Sequence, residues 1–423
     1  MTDTPDPQST PSDLLTIKLE KQVYGGAVLG RLSDGRAAFV PFGLPGETVK
    51  VRIVEQKRGH VRAELVEVLE PSSVRITPKC KHFGICGGCH YQHISYPAQL
   101  QLKKDILRDQ LVRIGRIPDP PVQPVVASPL EWNYRNHIQF HLTPAGKLGF
   151  IPANGRGVLA ITECHLPAPS LNGIWPGLEF DPDLGLERVS LRVGVNDQSM
   201  LVLESVEPKP PELELETDLS VVHLADDDMV VMAGDEALAL SVKERTFRVS
   251  PASFFQVNTG MAGKMVEYLL ENLPVSSATT LLDVYCGVGL FSAFFAARVG
   301  RLIGIEVSTS ACEDFAANLD EFDNVELYEA PAQAVLPTLE VTPDIAILDP
   351  PRAGLDKRAL DAILALAPKK IAYVSCDPST LGRDASRFIT AGYRLIQVTP
   401  FDLFPQTYSI ESISIFDKDE PSA

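Results

Sequence analysis

The sequence of 423 residues lacks long apolar runs. No stretch reaches the about 18 uninterrupted apolar residues of a membrane-spanning helix, so we expect no such helix. The first thirteen residues, MTDTPDPQSTPSD, lack the basic start and the apolar segment of a secretory signal peptide. They are rich in Pro, Ser, Thr and Asp, and we expect residues 1–13 to be a disordered tail on a cytoplasmic protein.

Cysteine is scarce, and seven cysteines are an odd number that is atypical of a disulfide scaffold. Cys80, Cys86 and Cys89 lie close together in a glycine-rich segment. The other four are scattered along the chain: Cys164, Cys286, Cys312 and Cys376. This clustering favours a metal or iron–sulfur site over disulfide bonds.

Basic residues are fewer than acidic ones, and the formal net charge of −17 argues against a nucleic-acid partner. The distribution of charge weakens that argument. Residues 178–240 contain 16 acidic and 3 basic residues, whereas residues 75–165 contain 11 basic and 5 acidic residues. Electrostatic fields are screened over roughly 10 Å, so the local excess of positive charge matters more to a polyanion than the total.

Three regions of the chain differ in their patterns. Short alternating segments between Gly and Pro turns in 14–70 predict five strands, typical of a small OB-like β-barrel that either contacts RNA or is purely structural. Residues 71–249 predict a central α+β domain with a helix near 97–114. Strands and helices alternate in 250–423, which predicts a parallel sheet ending in an antiparallel pair, the shape of an α/β class I (Rossmann-like) methyltransferase domain.

A glycine-rich turn, DVYCGVGLFS, follows a predicted strand and begins a helix. Gly287 and Gly289 allow the backbone to turn tightly and to approach a ligand. Glu306 ends the next strand, where its carboxylate can accept hydrogen bonds from ribose hydroxyls. The dinucleotide fingerprint has a third glycine, which is missing here. The pattern therefore favours S-adenosylmethionine over another nucleotide and over a purely structural turn.

Reactive side chains follow the later strands of this sheet. Cys376 lies in SCDP after a predicted strand, and Glu411 lies on the strand after DLFPQT. Carbon 5 of uracil is a weak nucleophile until a thiolate adds to carbon 6, and a base must then remove the proton on carbon 5. We predict Cys376 as the nucleophile and Glu411 as the general base, although a lone cysteine is commonly a small buried hydrophobe. Amino-methylating enzymes usually have an aromatic residue at the position of Arg352 in DPPRAGL. The arginine therefore disfavours methylation of an amino nitrogen.

The cysteine cluster has the spacing Cys80-x5-Cys86-x2-Cys89 and needs a fourth ligand. Cys164 is the remaining cysteine outside the predicted catalytic domain. Zinc sites usually combine two CxxC units, whereas this layout suits a [4Fe–4S] cluster better; zinc and the absence of a metal are the alternatives. The nearby segment 132–137, WNYRNH, mixes aromatic, cationic and amide groups that either contact RNA or form an ordinary strand edge.

The motifs SPASFFQVN, DVYCGVGLFS, DPPRAGL, SCDP and DLFPQT…E, in this order, resemble those of the RNA uracil-5-methyltransferases. The predicted barrel resembles the TRAM domain of that family. The resemblance implies that Cys376 is the nucleophile and Glu411 the base. It further implies that Phe255 lies in the loop that closes on cofactor and base, and that S-adenosylmethionine is contacted by Gln256, Tyr285, Glu306 and Asp349.

The CxxxxxCGGC layout resembles the ribosomal-RNA members and implies a [4Fe–4S] cluster and 23S ribosomal RNA as the substrate, with transfer RNA as the alternative. The chain departs from many members at Gln406 and Ser409, where histidines are common. Two other functions remain open, namely methylation of another RNA base or a small molecule, and non-catalytic RNA binding. We expect a monomer that binds no membrane.

Overall fold

The structure is a computed structural model that describes residues 14–212, 219–226 and 228–419. The predicted tail, 1–13, lies outside the described residues. Within the described ranges, no helix combines the length and the apolar character needed to cross a membrane.

The first described region is a closed five-stranded barrel, which confirms the predicted OB-like fold. Its strands pair in the order β1-β2-β3-β5-β4, and alternate side chains such as Val28, Val40 and Val61 fill the interior. The strands are β1 (Leu14–Gln22), β2 (Ala27–Arg31), β3 (Ala37–Pro41), β4 (Thr48–Gln56) and β5 (His60–Glu70).

The central region contains a seven-stranded mixed sheet in the order β12-β11-β10-β9-β6-β7-β8, followed by the hairpin β13-β14. Phe140, Leu191 and Leu201 lie in the hydrophobic core of the large sheet. The elements are α1 (Tyr96–Arg113), β6 (His137–Leu142), β7 (Leu148–Phe150), β8 (Leu159–Ala160), α2 (Pro169–Ile174), β9 (Leu186–Val193), β10 (Ser199–Ser205), β11 (Ser220–Ala225), β12 (Asp228–Ala233), β13 (Leu238–Val242) and β14 (Arg245–Val249).

The C-terminal region is a seven-stranded sheet in the order β17-β16-β15-β18-β19-β21-β20, with helices between the strands. Five strands are parallel, and β21 runs antiparallel to both β19 and β20, which confirms the predicted class I architecture. The elements are α3 (Thr259–Asn272), β15 (Thr280–Val284), α4 (Ser292–Phe295), β16 (Arg301–Glu306), α5 (Thr309–Asn318), β17 (Val325–Glu329), α6 (Ala332–Val335), β18 (Ile345–Leu348), α7 (Lys357–Leu366), β19 (Lys370–Ser375), α8 (Pro378–Thr390), β20 (Tyr393–Phe401) and β21 (Glu411–Lys418).

Residues that precede 250 complete the core of this sheet. Ile106, Leu107 and Leu111 of α1 share one hydrophobic cluster with its strands, and α1 packs against α8. Leu240 and Phe247 of the β13-β14 hairpin join the cluster on α3. The sequence places α1 correctly within a residue, but its docking on the catalytic sheet was not predicted. The domain boundaries at 70/71 and 249/250 stay a prediction.

Candidate active site

The glycine turn between β15 and α4 leaves one side of its backbone open. Tyr285, Gly287 and Gly289 all have positive φ, at 66°, 53° and 87°. A Cβ atom on Gly289 would lie 2.5 Å from Leu319, so only glycine fits there. A Cβ atom on Gly287 would meet nothing within 4 Å. The turn therefore offers exposed backbone at Gly287 to a ligand, as the sequence predicts.

Glu306 lies beside this turn at the end of β16. Its Oε2 accepts a hydrogen bond from the Gly287 amide at 3.0 Å, and its Oε1 accepts from the Val307 and Ser308 amides at 2.7 and 2.9 Å. These bonds fix the carboxylate where a carboxylate bonds the ribose hydroxyls of a nucleotide in doubly wound folds.

Two further carboxyl groups face the same end of the sheet. Burial, with a smaller contribution from the nearby Asp283 and Glu306, raises the pKa of Asp349 to about 7. Burial also raises the pKa of Asp283 to about 6, although Ser292 donates a hydrogen bond to it at 2.6 Å. Among the described residues none of these three carboxyls has a cationic side chain as a salt-bridge partner. The pocket therefore favours a ligand with positive charge and disfavours a pyrophosphate.

Strand register brings Cys376 and Glu411 together. Ser375 of β19 is paired with Ser412 of β21, so the next position along this antiparallel pair places Cys376 opposite Glu411. Residues opposite each other in such a pair lie about 5 Å apart at their Cα atoms. The structure thus brings the predicted nucleophile and the predicted base to one point beside Asp349.

The neighbours of the Cys376 thiol disfavour its ionisation in the free protein. Burial, with a smaller contribution from Glu411 and Asp349, raises its pKa to about 12, and Arg352 opposes the shift. Glu411 is 7% exposed, and burial raises its pKa to about 8, with Asp349 adding to the shift and Arg352 opposing it. Both groups are therefore mainly protonated at neutral pH before a ligand binds.

The turn that holds Cys376 is fixed from three sides. Asp377 caps α8 by accepting hydrogen bonds from the Ser379 and Thr380 amides at 2.8 and 3.0 Å. The Ser375 hydroxyl donates to the Asp377 carbonyl at 3.0 Å. Tyr24, from the turn between β1 and β2 of the barrel, donates its hydroxyl to Asp377 Oδ2 at 3.0 Å. No sequence signal predicted this contact, because it joins distant parts of the chain.

The loop before α3 contains the predicted ligand contact Gln256. The Asn136 side chain donates a hydrogen bond to the backbone carbonyl of Gln256 at 3.0 Å. The side chain of Gln256 itself has no hydrogen bond among the described residues. Phe255 lies in the loop before α3, as the sequence predicts, and its ring packs in the core against Phe247. Its neighbour Phe254 is 70% exposed and offers an aromatic face beside the site. The sequence alone does not indicate which of these two adjacent phenylalanines is buried.

The segment 132–137 is partly exposed, and Tyr134 is its one buried residue. Tyr134 is buried and donates its hydroxyl to the Pro405 carbonyl at 3.0 Å, so its ring is not available to stack on a base. Trp132 is partly exposed, with the Lys79 ammonium 5.2 Å from its ring centre. RNA contact through Trp132 and Lys79 stays a prediction.

The four cysteines predicted as ligands line one cavity of about 340 Å³. They are Cys80, Cys86, Cys89 and Cys164, and the cavity is also lined by Arg135, whose charge opposes the pKa increase of Cys89 and Cys164. Burial is the main cause of that increase, to about 12 for Cys89 and about 11 for Cys164. The Gly88 amide donates to the Cys86 sulfur at 3.4 Å. Within the described ranges no three Cys, His, Asp or Glu side chains converge closely enough to hold a single metal ion.

Two family models match the chain, one in its C-terminal part and one in its N-terminal part. The family model of the tRNA (Uracil-5-)-methyltransferases matches residues 214–341 and 333–419, and the TRAM domain model matches residues 8–66.

Whole-chain relatives carry the same kind of name. An RNA methyltransferase of Streptomyces avermitilis is 33% identical, with 96% of this chain and 98% of that protein covered. One from Streptomyces coelicolor is 32% identical, with 99% and 96% covered. A solved structure of the Pyrococcus abyssi tRNA (uracil-54, C5)-methyltransferase with S-adenosyl-L-homocysteine covers 95% of this chain and 100% of its own, with a TM-score of 0.73 and 24% identity. That likeness supports the fold.

Proposed function

Since the chain belongs to the RNA uracil-5-methyltransferase family, we propose that it methylates carbon 5 of a uridine in RNA with S-adenosylmethionine as methyl donor. The observation that supports this most directly is the register of β19 and β21, which juxtaposes Cys376 and Glu411 beside the carboxyl-lined pocket. A thiol and a carboxyl are the two groups that this reaction requires of a protein.

The donor pocket is proposed to consist of the open turn and the side chains around it: Gln256, Tyr285, Gly287, Glu306 and Asp349. S-adenosylmethionine supplies a methyl group on a positively charged sulfur. Asp349 is suited to lie near that charge, because its carboxyl is buried without a cationic partner among the described side chains. Positive charge at this place lowers the pKa values of Asp349, Glu411 and Cys376, so the site becomes reactive when the donor is in place.

The protein then contributes two steps to the reaction. The Cys376 thiolate forms a bond to carbon 6 of uracil, and the electron pair of the 5,6 double bond forms the new bond from carbon 5 to the methyl group. The bond from that methyl group to the donor sulfur breaks, and its electron pair leaves with S-adenosylhomocysteine. The Glu411 carboxylate next removes the proton from carbon 5. The electron pair of that C–H bond restores the double bond as the bond to sulfur breaks, and Cys376 leaves as a thiolate. The target base must leave its stack to reach Cys376.

The cavity of the four cysteines is proposed to hold a [4Fe–4S] cluster. Four thiols around one space match its ligand set, and Arg135 offers positive charge to an anionic cluster. Zinc sites usually combine two CxxC units, whereas these four cysteines include one, Cys86-x2-Cys89. The cluster would brace the central region and take no part in methyl transfer.

The RNA is proposed to be 23S ribosomal RNA, because the cysteine layout is similar to that of the ribosomal-RNA members. The name of the matched family model, by contrast, refers to transfer RNA. Mapping 5-methyluridine by mass spectrometry in both RNA classes from a deletion strain decides between them. Loss of the modification from transfer RNA alone would contradict the ribosomal assignment. A monomeric state stays a prediction.

The proposed chemistry is tested by incubating the protein with 5-fluorouridine RNA and S-adenosylmethionine. Fluorine cannot leave as a proton does, so a covalent complex through Cys376 should persist on a denaturing gel. Cys376→Ala should abolish the complex and the methylation, whereas Cys312→Ala, at a buried cysteine beside the Glu306 carbonyl and not beside Glu411, should retain the covalent complex. Full methylation of uridine by Cys376→Ala would refute the mechanism.

A further inference from the structure

The loop that joins β20 to β21, residues 402–410, leads directly to Glu411. Among the described residues, the Glu411 carboxyl has no hydrogen-bond partner of its own. Its position is set by the start of β21, where Glu411 is paired with Phe401, and by the loop that closes at this pair. Within this loop Gln406 is buried and has a φ of 69°, a left-handed conformation that a residue with a side chain rarely adopts. Such a conformation persists only where surrounding contacts impose it.

The contacts that impose it come from outside the catalytic sheet. The Gln406 carbonyl accepts hydrogen bonds from the amides of His90 and Tyr91 at 2.9 and 3.0 Å. The Gln406 amide donates to Gln99 Oε1 at 3.0 Å, and Gln99 Nε2 donates to Gln406 Oε1 at 3.0 Å. Four hydrogen bonds thus hold one residue, and two of them arise from the backbone that immediately follows Cys89.

A second anchor lies one helical turn further along α1. Lys103 Nζ donates to Asp402 Oδ1 at 2.6 Å and to the Phe404 carbonyl at 3.0 Å. The side chains of Lys103 and Asp402 are 1% and 0% exposed. Because Gln99 and Lys103 are four residues apart, they lie on the same face of the helix. This face of α1 and the segment after Cys89 therefore hold the loop 402–410 by hydrogen bonds at several positions.

We propose that Gln406 is a positioning residue for Glu411, and that Gln99 and the backbone amides after Cys89 hold it in place, so that the cysteine loop fixes the direction of the catalytic carboxyl. The inference rests on the proposed function of Glu411. It assigns the cysteine loop a part in the reaction that requires no electron transfer.

The position of Glu411 matters at one step. Addition of Cys376 to carbon 6 and methyl transfer to carbon 5 both precede proton removal, so a misdirected carboxyl leaves methylated RNA attached to the sulfur. Gln99→Ala should therefore accumulate a covalent complex on ordinary uridine RNA and lower kcat by about 10- to 100-fold. Binding of S-adenosylmethionine, measured by calorimetry, should stay unchanged, because the Gln99 amide bonds Tyr91, Ile94 and Gln406 and not the glycine turn.

The helix provides a matched control. Gln101, two residues further on, is exposed on its other face and bonds only Asp105. Gln101→Ala should behave as the unaltered protein. Gln99→Glu keeps an acceptor for the Gln406 amide but loses the donor to its side chain, so it should restore part of the rate.

A second readout is independent of activity. Hydrogen exchange of the backbone amides in 402–411 should be faster in Gln99→Ala and in Cys89→Ser than in the unaltered protein, and unchanged in Gln101→Ala. Faster exchange in Cys89→Ser links the cysteine loop to Gln406 directly, since Cys89 lies outside the catalytic sheet.

The outcomes separate this inference from the proposed function. If the unaltered protein forms no trapped complex with 5-fluorouridine RNA, the proposed function fails. If it does, but Gln99→Ala releases methylated RNA at the normal rate with normal exchange in 402–411, the positioning role is refuted. A loss of activity that parallels a loss of donor binding or of melting temperature would also refute it, because it would reflect general destabilisation.

Discussion

Cys376 and the four-cysteine cavity place the same side chain in opposite electrostatic surroundings. Around Cys376 the nearest charged groups are the carboxyls of Glu411 and Asp349, and Arg352, the group that opposes them, is exposed. Around the cavity thiols, Arg135 and the Gly88 amide are oriented to favour negative charge on sulfur. Burial is the main cause that keeps the thiols of both regions protonated, and nearby carboxyls add to it, Glu411 and Asp349 at Cys376 and Glu163 at Cys80.

The two regions therefore differ in the source of the positive charge that would stabilise a thiolate. The reactive site must receive its positive charge from a ligand that comes and goes, which limits thiolate formation to the loaded state. The cavity has part of its compensating charge built in, which suits a group that stays bound. Substitution of the charged residues around Cys376 should therefore change the reaction rate. Substitution of those around the four-cysteine cavity should change how well the cavity retains its bound group.

The largest effect is expected from Glu411→Gln, which removes the base from the reactive site. The rate of product release should fall by about 10²- to 10⁴-fold, the usual contribution of a general base. Covalent RNA should accumulate on Cys376, as quantified on a denaturing gel. A rate within a few-fold of normal would show that another group removes the proton.

The same substitution should change the dependence of stability on pH. The pKa of Glu411 is raised from 4.5 to about 8, so the folded protein holds this proton more tightly than the unfolded chain does. The resulting stability is complete below about pH 4.5 and is lost as pH rises through about 8. Glu411→Gln should melt at a higher temperature than the unaltered protein at pH 9, and the gap should close towards pH 4.5. A constant gap in calorimetry would contradict a raised pKa.

A smaller effect on rate is expected from Cys89→Ser, which removes one thiol from the cavity. Iron content and visible absorbance should fall sharply, while methylation should fall by about 10-fold through the loop that precedes Glu411. Cys286→Ser, at a buried cysteine in the glycine turn, is a control for loss of a thiol as such and should retain iron. Full iron content in Cys89→Ser would contradict the proposed ligand set.

The smallest effect is expected from Arg352→Gln. Its positive charge lowers the pKa values of Cys376 and Glu411, so its loss should move the pH profile of the rate upward and lower the rate a few-fold at neutral pH. Because Arg352 is exposed, high salt should reduce the difference. Arg358→Gln, on an exposed part of α7, serves as the control. An unchanged pH profile would exclude Arg352 from the electrostatics of the site.

The sequence predicts those features that arise from local pattern. Alternation in the barrel and the strand–helix rhythm after 250 lead to the correct fold classes, and the motifs identify Cys376 and Glu411. The pairing of these two residues depends on the register of β19 and β21, and the loop before β21 contains Gln406 at positive φ. No local rule predicts a glutamine in that conformation. The docking of α1 and the exposure of Phe254 rather than Phe255 likewise depend on tertiary packing.

The contact of Tyr24 with Asp377 bears on how the enzyme is assembled. These two residues are separated by 353 positions in the chain, yet one hydrogen bond joins the barrel to the turn of the nucleophile. During synthesis the barrel can fold long before that turn emerges, because domains generally fold in the order in which they are made. The catalytic centre is thus completed when newly made chain docks onto a surface that already exists. A barrel transplanted from a relative would need to supply the same hydroxyl.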